Sequence, residues 1–394
     1  MNENSRLTNL QVMVVTSDAQ FAALEHAWNA VARHTVTPSV FLSHEWFTAA
    51  WAWRRLDSTL HTLAARDGER VVGLLPLISV QQPASASRSL EMLTVPDTQL
   101  CDLIAAPGDL DAVAEAFAAA LAAQRDWDTL KLDHLMPHGA SIRALAPAIA
   151  RHGLRIDEQD GGRNAFVALN GAWNDYYNGR SRSLKKANNL AANRLKKAGE
   201  IRIEWLSASA GDEARFERAL DTVIDISRRS WKRETGNALD QPGPQAFIRS
   251  LSRAAYAQGW LSLWLIYLDE QPLAMEYQLI YGSEVHALRA DFDTQREEIS
   301  PGSHLFRQLL ERLFEHGLGR YYMGRGDNPY KKRWTDEGEP LRRMMVYHRT
   351  LRGQFAWLRE VVLAPVVRTM RDRMMSLKKR ARAVDAPPDN NAAP

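Results

Sequence analysis

Cysteine is almost absent. The lone thiol, Cys101, has no disulfide partner within the chain and cannot build a cysteine-based metal cluster. A single thiol fits a reducing compartment. No run of about 18 apolar residues occurs, so no membrane-spanning helix is expected. The first residues carry no basic stretch ahead of an apolar one, so a secretory leader is not expected and a cytoplasmic location is. An excess of one charge is missing too. The 50 Lys and Arg stand against 47 Asp and Glu, which argues against a surface built as a whole to grip nucleic acid. No short repeat of solenoid or propeller period is found.

What is present suffices for two cores. The 394 residues are 45% hydrophobic and 25% charged, ordinary values for globular domains of 150–200 residues each. The charge is uneven. Arg180, Arg182, Lys185, Lys186, Arg194, Lys196 and Lys197 fall in one segment without an acid, and a second basic cluster occupies 368–382.

Periodicity divides the chain further. The first half reads as strand 11–16, helices 18–33 and 44–54, and a hairpin of 61–66 and 70–80 turned by Asp67-Gly68. Strands at 90–95 and 100–104, helix 110–124, strand 129–132 and helix 141–151 follow. Residues 160–164 carry turn chemistry ahead of a strand at 165–169. A basic helix at 183–198, stopped by Gly199, connects the halves. The second half reads as strand 201–206, helices 212–229 and 245–257, and three antiparallel strands at 260–268, 272–281 and 284–291. Helix 303–316 and strands 320–323 and 341–347 complete it. Both faces of the three-strand block are apolar, so helices should cover it on both sides. The element order of the halves is alike, which suggests two copies of one α/β unit. Apolar residues at helical spacing from Phe355 to Leu377, with cations between them, read as an amphipathic helix. Packing on the protein is its first reading and an anionic membrane surface its second. The last residues, 386–394, read as disordered.

Several segments resemble a known family: 41–47 (FLSHEWF), 71–78 (VVGLLPLI), 181–199, 272–293, 300–311 (SPGSHLFRQLLE) and 324–334 (GRGDNPYKKRW). They are similar to the cellulose-biosynthesis-associated, CelD/BcsL-type branch of the GNAT acyltransferases. That branch also resembles the Fem-type peptidyltransferases with their tandem GNAT-like domains. The resemblance implies an α/β (α+β) fold with mixed, largely antiparallel sheets flanked by helices. The implied domains are an N-terminal GNAT-like unit at 1–170, a basic linking helix at 171–199 and a C-terminal acyltransferase unit at 200–350. A basic amphipathic helix at 351–383 and a tail at 384–394 follow.

It further implies an acyl-CoA co-substrate, acetyl-CoA in the simplest case, no metal, and an amine acceptor, here on a sugar or envelope-polysaccharide precursor. Backbone groups of Ala287, Leu288 and Arg289 would face the acyl carbonyl. Ser300, Gly302 and Ser303 at the following helix start would hold the pyrophosphate, since free amides and the helix dipole suit anions there. A general base needs a carboxylate near the amine. Asp291 is the first choice and Glu276, mid-strand among apolar residues, the second. His286, on the opposite face of its strand from Asp291 by simple alternation, reads as a satisfied sheet histidine. Tyr330 is placed to reprotonate the leaving thiolate. Arg325, Asp327, Lys331 and Trp231 would contact substrate, the cations by neutralising a phosphate or carboxylate. Two other functions remain open: Fem-type aminoacyl transfer from charged tRNA, and a silent GNAT-like scaffold in a polysaccharide-synthesis complex. The basic stretches allow peripheral contact with the inner membrane through 355–382.

Overall fold

The computed structural model describes residues 10–81, 87–207, 212–326 and 328–364, together with Met374. The first half opens with β1 (Gln11–Val15), α1 (Asp18–Ala22), α2 (Glu25–Ala32) and α3 (His44–Arg54). Strands β2 (Thr59–Leu60), β3 (Thr62–Asp67), β4 (Arg70–Leu75), β5 (Leu77–Gln81), β6 (Arg88–Met92) and β7 (Ile104–Ala105) come next. Then follow α4 (Leu110–Ala123), β8 (Thr129–Leu135), α5 (Ala146–Arg151) and β9 (Arg155–Ala168). Helices α6 (Trp173–Asn178) and α7 (Arg182–Ala198) lead to the second half. It comprises β10 (Ile201–Ser207), α8 (Glu213–Arg228), α9 (Pro242–Ala257), β11 (Leu261–Leu268), β12 (Gln271–Tyr281) and β13 (Glu284–Phe292). The chain continues with α10 (Pro301–Phe314), β14 (Arg320–Arg325), α11 (Pro329–Lys332), β15 (Gly338–Tyr347) and α12 (Leu351–Trp357).

These strands form two sheets. A small one has the order β1-β3-β4-β7. The large one runs through both halves in the order β10-β11-β12-β13-β14-β9-β15-β8-β6-β5-β2. The last strand, β15, is antiparallel to both β8 and β9 and lies between them. Each half holds one parallel pair of the same length. In the first, Ser89–Glu91 pair with Thr129–Lys131; in the second, Glu284–His286 pair with Arg320–Tyr322. A 14-residue helix connects the members of each pair, α4 in one and α10 in the other. The duplicated element order is thus a duplicated topology.

The three-strand block β11–β13 is covered on both faces, as its two-sided apolar pattern predicts. Leu263, Leu265 and Met275 face a core shared with α8, α9 and the first half, whereas Trp264, Ile266 and Ala274 face α10. Helix α7, capped by Ser181, adds Leu184 and Leu195 to the α10 side and turns its cations outward. The halves also share aromatic packing. Trp46 and Trp53 of α3 lie 5.4 and 6.1 Å from Phe247 of α9, centroid to centroid. Gly243 permits this approach, since a Cβ there would fall 2.3 Å from Trp53.

Three sequence expectations change. Residues 160–164 are not a turn but the middle of β9. Gly161 is needed because the strand passes so close to β15 that a Cβ would meet the Arg342 backbone at 2.8 Å, and the register slips there as at a β-bulge. Strands 90–95 and 100–104 shrink to β6 and β7, and the residues between them become a long loop. The apolar stripe after Phe355 does not pack on the protein over its described part: Phe355, Leu358 and Val362 are all exposed. Apart from Met374, its remainder and the tail lie outside the described residues.

Candidate active site

Strands β13 and β14 pair only as far as His286 and Tyr322. Beyond that point β13 has no strand on its β14 side, and a cavity of about 670 Å³ occupies the opening. It reaches from the split between the strands to the first turn of α10. Ser300, in the left-handed region at φ 53°, makes no side-chain cap, and Pro301 removes one amide by its ring. The amides of Gly302 and Ser303 follow, and a Cβ on Gly302 would come no nearer than 3.6 Å to Phe292. The uncapped start of a 14-residue helix beside a cavity fits an anion such as a pyrophosphate.

The sequence-selected residues converge here. Ala287, Leu288, Arg289, Ser300, Gly302 and Ser303 line the cavity. So do Glu276, Asp291, Tyr330, Arg325, Lys331 and Trp231, the last 51% exposed at the rim. Asp327 lies outside the described residues.

Their chemistry differs from the simple assignment in four ways. First, Asp291 is ion-paired: Lys232 Nζ stands 2.6 Å from its Oδ1. Glu276 has no such partner. Tyr321 Oη donates to its Oε1 at 2.6 Å, and burial raises its carboxyl to about 8, with Asp291 adding repulsion. A carboxyl held near 8 and not committed to an ion pair is suited to act as a general base.

Second, Arg289, expected to serve through its backbone, has a side chain that is already engaged. Its Nε and Nη2 each lie 2.6 Å from a carboxylate oxygen of Asp97, and Asn237 takes two further bonds. Only its backbone can serve the acyl group. Third, Arg325 and Lys331 are tied to carbonyls rather than free for a phosphate. Arg325 Nε donates to Thr98 O at 3.0 Å, and Lys331 Nζ donates to Gly324 O and Arg325 O, both at 2.7 Å.

Fourth, the register of β13 shifts at Leu288, where Tyr277 pairs with Arg289 but Gln278 with Ala287. One extra residue flips the parity of everything after it. His286 therefore shares a face with Asp291, opposite Leu279 and Met275, instead of opposing it. Nor is His286 satisfied by hydrogen bonds. It stacks on Tyr322 at 5.0 Å and meets Phe41 edge-on, and neither ring nitrogen makes a hydrogen bond, Nε2 lying 3.7 Å from Glu284 Oε2. Burial lowers it to about 3, so the folded protein keeps it neutral. The unfolded chain protonates near 6.5, so stability present above that pH drains as the pH falls toward 3. A His286→Phe variant should lose less stability than the parent between pH 6.5 and 4, measured by denaturant titration at both values.

Tyr330 stands on α11, whose first turn is capped by Asn328, and packs on Phe306 at 5.5 Å. One side of the residue is open to solvent. Burial of its hydroxyl end, together with nearby Glu276, holds the phenol well above its usual value. It stays protonated at working pH and can donate.

The residues that sequence reading missed come mostly from the other half. Pro96, Asp97, Thr98 and Gln99, on the loop between β6 and β7, cross over to line this cavity. A Pro-Asp-Thr run reads as a turn, and nothing local says which surface it touches. Tyr321 and Lys232 were also missed. The first half's own counterpart cleft is small, about 190 Å³. Asp102 fills its polar end by accepting the amides of Leu103, Ala140 and Ser141 at 2.7–2.8 Å.

The fold has solved relatives. FemX aligns over 89% of this chain and 99% of its own, at 12% identity and TM-score 0.55. The C-terminal domain of a putative lysylphosphatidylglycerol synthetase from Agrobacterium fabrum aligns over 87% and 96%, at 14% identity and TM-score 0.52. A conserved protein of unknown function from Bacteroides thetaiotaomicron aligns over 85% and 100%, at 12% identity and TM-score 0.52. At such identities the likeness is one of fold. No curated protein matches the sequence. Within this mixed α/β fold of two like halves, residues 182–332 match the acetyltransferase (GNAT) domain family.

Proposed function

We propose that this protein is an N-acyltransferase that moves an acyl group from acyl-CoA to an amine. The observation that carries this is the alignment, within one cavity, of an uncapped helix start, an unpaired strand edge and a buried carboxyl that titrates near 8. The α10 amides hold the pyrophosphate. The edge of β13 beyond Ala287, which has no neighbouring strand, orients the thioester. Glu276 takes the proton from the acceptor ammonium, the freed amine attacks the thioester carbon, and the C–S bond breaks as the C–N bond forms. Tyr330 gives its proton to the departing sulfur and is restored by the second proton that the nitrogen sheds as the amide forms. Asp291, fixed by Lys232, completes the charge around the amine. The segment resemblance supports an amine on a sugar or envelope-polysaccharide precursor as the acceptor, and Trp231 at the rim offers a ring for a sugar to stack on.

Gly302→Asp tests the donor half of the reading. A carboxylate at the helix start repels the anion, so the dissociation constant for acetyl-CoA should rise by about tenfold or more. Gly302→Ala, whose Cβ has room, should bind nearly as the parent does. Calorimetric titration measures both. Binding of charged tRNA in place of acetyl-CoA would favour Fem-type transfer.

A further inference from the structure

We propose that Gln99, supplied by the first half, limits the acyl group accepted by this site to a short one. The inference rests on the acyl-CoA reading above. Gln99 is buried at the point where β13 and β14 part. Its Nε2 donates to Ala287 O at 2.7 Å, and Asn164 Nδ2 approaches its Oε1 at 3.4 Å. Gly324 marks the same spot from the β14 side, with φ +80°. A Cβ there would find Ala287 O at 3.6 Å and both Gln99 Nε2 and Lys331 Nζ at 3.8 Å. An amide, an ammonium and a carbonyl thus converge on one point.

A donor anchored at the start of α10 directs its acyl end toward this point. The wall it meets is polar and fully engaged, because Lys331 is already bonded to Gly324 O and Arg325 O. An acetyl group stops short of it. A long alkyl chain has to push Gln99 aside, which strands the Ala287 carbonyl and Asn164 without partners and brings CH₂ groups against an ammonium. Each stranded buried group carries its full desolvation penalty. The plug comes from the partner half of the fold and can vary without any change in the acyl-binding half.

The experiment is calorimetric titration of the full chain with acetyl-, butyryl- and octanoyl-CoA, repeated for Gln99→Ala and Gln99→Met. The parent should bind acetyl-CoA about tenfold or more tightly than octanoyl-CoA. Gln99→Ala, which removes the plug, should shift that ratio toward octanoyl-CoA by about tenfold, while Gln99→Met, which keeps the bulk but not the amide, should shift it by less. Gln99→Ser serves as the opening variant if the alanine form does not fold. Equal affinity of the parent for all three thioesters overturns the proposal. An unchanged ratio in the opened variant, or the same shift in Met and Ala, does so too. Failure of every thioester to bind overturns the acyl-CoA reading itself, and this inference with it.

Discussion

Glu276→Gln should cut turnover roughly 10²–10⁴-fold while leaving donor affinity nearly unchanged, the range that loss of a general base produces. The amide keeps the shape of the carboxyl and its contact with Tyr321, so the effect is chemical rather than structural. The pH profile gives a second signature. Burial holds the Glu276 carboxyl near 8, so the parent's rate should rise with pH through that value and then level off. The variant should lack this limb. Stability runs the other way. The fold binds the Glu276 proton more tightly than the unfolded chain does, so stability falls as the pH rises from 4.5 to 8. Glu276→Gln should therefore melt higher than the parent, by a margin that widens across that window and is constant above it. Asp291→Asn disturbs an ion pair instead and should lower turnover less. If the two variants ranked the other way, the base would be Asp291.

Asp97→Ala should destabilise the folded protein by about 3–5 kcal/mol, as loss of one member of a buried ion pair does. Arg289 would be left charged, 2% exposed, and held only by Asn237. Because the two residues are 192 positions apart, the loss loosens one half from the other. Urea denaturation measures it. The double variant Asp97→Ala with Arg289→Met should recover much of the loss, because it removes the stranded charge along with its partner. A single-variant loss below about 1 kcal/mol would mean that the pair contributes little beyond what solvent already supplies.

The second half was largely legible in the sequence because its signals are local. The alternation of Leu261, Leu263 and Leu265, the turn at Asp269-Glu270, and the Pro301-Gly302 helix start each announce themselves within a few residues. Both turn residues indeed take positive φ, as a tight hairpin requires. Glu276 stood out as a lone acid in an apolar strand. What escaped was non-local. A single inserted residue at Leu288 reverses which side chains share a face, and no composition rule marks it. The partner of Arg289 lies in another half of the chain. Asp291 looked like the better base until Lys232, 59 positions away in sequence, turned out to hold it. Lys331 and Arg325 looked like free cations until β14 carbonyls took up the first and Thr98 O of the first half the second.

The position of β15 bears on how this protein is made. The strand that fills the gap between β8 and β9 is synthesised after almost everything else. A ribosome-bound first half must wait with two strand edges open, each a template for pairing with another chain. Most multidomain proteins complete their first domain while the second is still being translated. Here the order is inverted, and the second half must emerge before the first can close. A stop codon just ahead of Gly338 would leave β8 and β9 without the strand they share.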